Sequence, residues 1–86
     1  MADYTVTASR SAEKELGDLE PTILKRILPK LESLAAQPRP SGCKKLKGEK
    51  NRWRLRVGDY RVIYSIDDRA RVVDVVAGRH RREAYE

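Results

Sequence analysis

Tyr4, Val6 and Ala8 alternate with Thr5 and Thr7, a period that predicts a short half-buried strand ending at Ser9. Ser9 is then placed as a helix N-cap. Ala12, Leu16 and Leu19 recur at helical spacing beside Glu13, Lys14 and Glu15, predicting a short amphipathic helix over residues 10–18 that frays at Gly17-Asp18. Glu20-Pro21 starts a second helix, because proline at the first helical position has its φ preset and gives up no needed N–H. Its apolar face is Ile23, Ile27, Leu28, Leu31, Leu34 and Ala35, opposite Lys25, Arg26, Lys30 and Glu32. Pro29 interrupts the pattern and is expected to kink this helix near Lys25.

Gln37-Pro38-Arg39-Pro40-Ser41-Gly42 is a loop by composition and marks a switch from helical to strand-like periodicity. Beyond it Trp53, Leu55 and Val57 alternate with Arg52, Arg54 and Arg56, so one apolar row faces a core and three guanidinium groups face the other way. Gly58-Asp59 predicts a tight hairpin into Tyr60–Ile66, with Val57 opposite Tyr60 and therefore Arg56 opposite Arg61. An Asp67-Asp68-Arg69-Ala70 turn leads to a last strand, Arg71 to Ala77. The order gives an α+β class: an N-terminal strand, two helices, then an antiparallel β-meander of three to four strands with the helices on one face.

Eighty-six residues, 40% of them hydrophobic, suit one thin-cored domain over 1–86 and exclude a multidomain enzyme. Cys43 is the only cysteine, which excludes an intramolecular disulfide framework and a Cys-rich metal site and fits a reducing cytoplasm. The polar stretch Met1–Arg10 and the shortness of the apolar runs argue against a signal peptide or a membrane span. Charge is segregated: residues 1–40 hold six basic and six acidic side chains, residues 41–86 hold thirteen and seven, so the back half carries the whole +6. A polyanionic partner follows, nucleic acid or an acidic protein.

Arg54, Arg56 and Arg61 fall on one face, where like charges directly opposite one another repel; such a row gives up stability unless an anion sits on it. Solvated guanidinium groups on an open face would leave the same pattern. Lys44, Lys45, Lys47 and Arg52 precede the row and Arg79, His80, Arg81 and Arg82 follow the last strand, so both clusters are candidate phosphate contacts rimming one groove. His80 is the one side chain with an unperturbed pKa near neutrality, and Tyr85 is the nearest other candidate for moving protons. Trp53 reads as a core anchor, Tyr4, Tyr60 and Tyr64 as sheet residues, Glu83 as an ion-pair partner and Cys43 as an incidental thiol.

Four pieces stand in order along the chain: Ser11-Ala12-Glu13-Lys14-Glu15-Leu16 after a first strand, Pro38-Arg39-Pro40 with Lys45-Leu46-Lys47-Gly48, the run Trp53-Arg54-Leu55-Arg56-Val57-Gly58-Asp59-Tyr60-Arg61-Val62-Ile63-Tyr64, and Gly78-Arg79-His80-Arg81-Arg82-Glu83-Ala84-Tyr85. Through them the chain resembles the RelE/ParE superfamily of bacterial type II toxin–antitoxin toxins over nearly its full length. The resemblance implies a microbial-RNase-like fold and, in the RelE branch, cofactor-free and metal-independent cleavage of mRNA in the ribosomal A site. There the 2′-hydroxyl attacks the adjacent phosphate, leaving a 2′,3′-cyclic phosphate and a 5′-hydroxyl. Position by position, Arg54 and Arg56 match the strand cations, Lys47 and Arg61 mRNA-phosphate contacts, His80 an active-site position and Tyr85 the C-terminal tyrosine.

Many RelE proteins carry lysines at the two strand positions and arginine at the last. Arg54 and Arg56 cannot serve as bases, which leaves them electrostatic clamping, with Arg61, and leaves proton transfer to His80 and Tyr85. The implied partners are a cognate antitoxin with an acidic, partly disordered segment and the 70S ribosome with its mRNA and rRNA. Operator DNA is reached only through the antitoxin, and no membrane is involved. The alternative is a ParE-like poison of DNA gyrase without RNase activity; an inactive regulatory subunit is a third reading.

Overall fold

Side chains that alternate in polarity fold here as strands, and the two helical periods fold as helices laid across them. The computed structural model describes residues 3–48 and 51–80. Strand β1 spans Thr5–Ala8, helix α1 Arg10–Gly17 and helix α2 Pro21–Ser33. Strands β2 (Lys44–Lys45), β3 (Arg52–Val57), β4 (Tyr60–Asp67) and β5 (Val72–His80) complete a five-stranded sheet in the order β1-β5-β4-β3-β2. The last four form the expected antiparallel meander, and β1 joins it by pairing parallel to β5.

Local chemistry sets the boundaries. Ser9 is extended at φ −69°, ψ 164°, and its hydroxyl accepts from the Ala12 N–H at 3.1 Å, closing the start of α1. Proline opens α2, and the helix runs on through Pro29 to Ser33. At the β3–β4 hairpin Gly58 alone of the two turn residues takes a positive φ, 61°, as a II′ turn requires of its first position.

α1 packs on β5 and β1, and α2 on β3. Ala12 and Leu16 of α1, with Ile27 and Leu31 of α2 and Leu34 just after it, bury against Leu55, Val57, Val62, Tyr64, Ile66, Val73 and Val75 of the sheet. Each fully buried aliphatic side chain here contributes about 1.5–3 kcal/mol. Leu28, read from the sequence as part of the buried face, is instead 43% exposed. Leu24 packs partly buried against the core, as does Ile23.

The last strand also departs from its expected bounds. It does not stop at Ala77 but continues through Gly78 to His80, so the positions of Arg79 and His80 lie within the sheet rather than after it.

Tyr64 ties the sheet to the proline-rich loop. It is fully buried, and its hydroxyl donates to the Pro38 carbonyl at 2.8 Å. Burial, then a hydrogen bond with Cys43, raises its pKa beyond the usual phenol range. Tyr64→Phe is expected to destabilise the fold by about 1–2 kcal/mol, because the Pro38 carbonyl loses its donor inside the protein. Urea denaturation would read this, and an unchanged midpoint would contradict it.

Candidate nucleic-acid interface

Strand pairing sorts the basic side chains by face. Because Leu55 and Val57 point to the helices, Arg52, Arg54 and Arg56 point away from them. Across the helix-free face, Arg56 stands directly opposite Arg61, as the hairpin arithmetic predicted, and Arg61 is opposite the Arg79 position. The next row holds Lys44, Arg54, Ile63 and Ala77. The row after that holds Arg52, Ser65, Asp74 and Thr7.

The face is thus a ladder with cations concentrated at its hairpin end. Arg56 is exposed there, while Arg54 and Arg61 are half-buried. Directly opposed like charges about 5 Å apart at the backbone oppose folding, and an anion placed between them would relieve that. A guanidinium fork suits phosphate oxygens in pairs. Among the described residues no three His, Cys, Asp or Glu side chains are grouped to hold a metal ion.

Not every predicted contact joins this face. Lys44 and Lys45 are consecutive in β2, so they take opposite faces: Lys44 is paired with Arg54, and Lys45 with Trp53 on the helix side. Lys45 is therefore removed from the ladder by the pleat. Lys47 is exposed in the turn after β2. His80 is opposite Tyr60 on β4. The side chains of Arg79 and His80, and all of residues 81–86 with Arg81, Arg82 and Tyr85, lie outside the described residues.

A second polar cluster, missed in the sequence, closes the other end of the sheet. Arg39 donates to both oxygens of Asp68, at 3.3 and 3.0 Å, and Tyr4 donates to Asp68 Oδ1 at 2.6 Å. The same guanidinium lies 5.0 Å from the centre of the Trp53 ring. These contacts join the chain start, the proline-rich loop and the β4–β5 turn, and only the Pro38-Arg39-Pro40 motif hinted at them.

The Arg39 hydrogen bonds, then that of Tyr4, hold the Asp68 carboxyl below its ordinary value of 3.8. A carboxylate whose pKa is lowered on folding adds stability above its unfolded value and loses it as pH falls through the folded one. Asp68→Asn is therefore expected to be less stable than wild type at neutral pH, with the gap closing below about pH 4. Denaturation midpoints at the two pH values test this; a gap independent of pH would refute it.

Comparison with known proteins agrees with this architecture. The sequence model of the ParE toxin of type II toxin–antitoxin systems (parDE) matches residues 6–85. RelE1 of Methanocaldococcus jannaschii is 32% identical over 81 residues, 88% of this chain and 90% of that one. A chain of the archaeal RelE–RelB complex of Pyrococcus horikoshii superposes with TM-score 0.82 at 30% identity, covering 95% of this chain and 99% of its own. A chain of the RelBE2 toxin–antitoxin complex of Mycobacterium tuberculosis gives 0.82 at 31% identity, covering 92% and 99%.

Sequence match and superposition together define a type II toxin with the RelE-like α+β fold. The chain belongs to the ParE toxin family, within the RelE/ParE superfamily.

Proposed function

We propose that this toxin is a ribosome-dependent mRNA endoribonuclease that cuts A-site mRNA by attack of the 2′-hydroxyl on the adjacent phosphate. The observation that carries the reading is the helix-free face, where Arg56 and Arg61 are directly opposed with Arg54 and Lys44 in the adjoining row. In that reaction the attacking oxygen bonds to phosphorus as the 5′-oxygen leaves, giving a 2′,3′-cyclic phosphate and a 5′-hydroxyl. Negative charge grows on the phosphorane, and fixed guanidinium groups stabilise it more than the ground state. Arginine stays protonated, so the strand cations clamp charge while His80 and Tyr85 exchange protons with the 2′- and 5′-oxygens.

Lys47, Arg52, Arg79, Arg81 and Arg82 extend the phosphate track on this reading. The partners are the 70S ribosome and a cognate antitoxin, through which alone operator DNA is reached; relatives matched here were solved as complexes with RelB. A second reading, a ParE-like poison of DNA gyrase, is favoured by the ParE family match over residues 6–85.

Primer extension on a defined mRNA in a purified translation system, with and without programmed ribosomes, separates them. Ribosome-dependent A-site cuts by wild type, lost in an Arg61→Ala, Tyr85→Phe double variant, are the expected result. Intact mRNA at wild-type concentrations that still arrest growth would overturn the nuclease reading in favour of gyrase.

A further inference from the structure

The helix-free face is not uniformly basic. In its third row Asp74 stands between Ser65 of β4 and Thr7 of β1, in the apolar run Val72-Val73-Asp74-Val75-Val76. Thr7 Oγ1 donates to Asp74 Oδ1 at 2.9 Å, which fixes the carboxylate without neutralising it. Among the described residues no Lys or Arg forms an ion pair with it. Arg52, in the same row, is two strands away, roughly 10 Å along the sheet.

A carboxylate in this place opposes the field that attracts phosphates, so backbone binding does not account for it. It can do what the arginines cannot, which is accept hydrogen bonds. Oδ2 and the remaining lone pair of Oδ1 form an acceptor fork, and the Ser65 hydroxyl beside it is a donor. Single-stranded RNA presents its base edges to such groups.

Among the RNA bases, guanine places two N–H donors, N1–H and N2–H, side by side with the O6 acceptor next to them. That order complements Asp74 followed by Ser65. Uracil offers one N–H between two carbonyl oxygens, both of which the carboxylate repels. The row between, with Ile63 and Ala77, is an apolar floor, and Asp74 lies about 13 Å along the strands from the Arg61 row, room for roughly two nucleotides.

We propose that Asp74, held by Thr7 and flanked by Ser65, is a base-reading site that selects guanine in single-stranded RNA whose phosphates lie on Arg54, Arg56 and Arg61. This rests on the RNA-directed reading of the face and deepens it. It assigns discrimination to residues distinct from those assigned to the chemistry.

The test is fluorescence anisotropy of the purified full chain with a labelled uridine nonamer and with the same nonamer carrying one central guanosine. Wild type is expected to prefer the guanosine oligomer on the order of tenfold. Asp74→Asn, which is isosteric and keeps an acceptor for Thr7, is expected to lose that preference while binding the all-uridine oligomer as tightly or more so. Arg56→Ala is expected to weaken both oligomers alike.

Equal wild-type affinities, or a preference that survives in Asp74→Asn, would overturn the base-reading site and leave the RNA-directed reading standing. Failure of wild type to bind either oligomer would overturn the base-reading site as a property of the free chain, while the ribosome-dependent reading stands or falls on the primer-extension result. Circular dichroism of Asp74→Asn guards the comparison, and if that variant fails to fold, Ser65→Ala is measured in its place: a preference unchanged there would overturn the site.

Discussion

Replacing Arg56 by alanine is expected to cut ribosome-dependent mRNA cleavage about a hundredfold while leaving the protein more stable by a few tenths to about 1 kcal/mol. Both signs come from one geometry. Arg56 is directly opposite Arg61 in the β3–β4 ladder, so two positive charges face each other across a strand pair. Arg56 is also exposed, so its removal opens no cavity and strands no buried partner. Losing it relieves repulsion in the free protein and, on the proposed nuclease reading, removes a cation from the phosphorane in the complex. Arg56→Lys keeps the charge but loses the two-pronged contact, and an intermediate rate is expected. Single-turnover cleavage on programmed ribosomes and urea denaturation are the two measurements. A variant that cleaves normally would take Arg56 out of the site, and one that unfolds more readily would show that the opposed pair is structural.

That pair was legible in the sequence because a hairpin transmits register across only two turn residues. Once Gly58-Asp59 is the turn, Val57 meets Tyr60 and Arg56 meets Arg61 without further information. Pairings made across long stretches of chain were not legible. β1 lies parallel beside β5, with Thr5 opposite Val72, and nothing within Tyr4–Ala8 specifies that partner. The two-residue β2 is too short to show a period, so the opposite facing of Lys44 and Lys45 emerged only from their pairing with Arg54 and Trp53.

Leu28 was misread because an apolar residue next to Ile27 in a short helix was assumed to share its face. Successive residues are about 100° apart, and the core takes Ile27 and Leu31 while turning Leu28 outward. Asp74 carried a signal that went unused: a lone charge in a valine run, at an alternating position that a half-exposed strand leaves open. His80 and Tyr85, the positions proposed for proton transfer, were singled out by residue type and by the family motif Gly78–Tyr85 rather than by periodicity.

Gly78 shows why the last strand was cut short, and it leads to the larger of the expected stability changes. A glycine after a valine-rich run reads as a strand terminator, yet here it is paired with Val62 inside β5. Its φ is not in the positive range, so conformational freedom is not the reason for it. Space is the reason. A Cβ at this position would lie 2.8 Å from Leu16 Cδ2 and 3.4 Å from its Cγ, under the helix that covers β5. The Gly78 N–H also donates to Glu15 Oε1 at 3.0 Å, so two consecutive residues of α1 meet the strand at this glycine.

Gly78→Ala is therefore expected to cost about 1–3 kcal/mol, since Leu16 is nearly buried and can yield only by moving α1 or leaving its rotamer. In a domain this small each kcal/mol lowers Tm by roughly 4–8 °C. Leu16→Ala alone is expected to cost about 2–5 kcal/mol through the cavity it opens. Adding Gly78→Ala to it fills part of that space, so the double variant is expected to fall short of the sum of the singles by about 1 kcal/mol or more. Strict additivity would mean that α1 does not rest on Gly78. β5 would then need another cause for running past the glycine to the Arg79 position, where the cationic ladder ends.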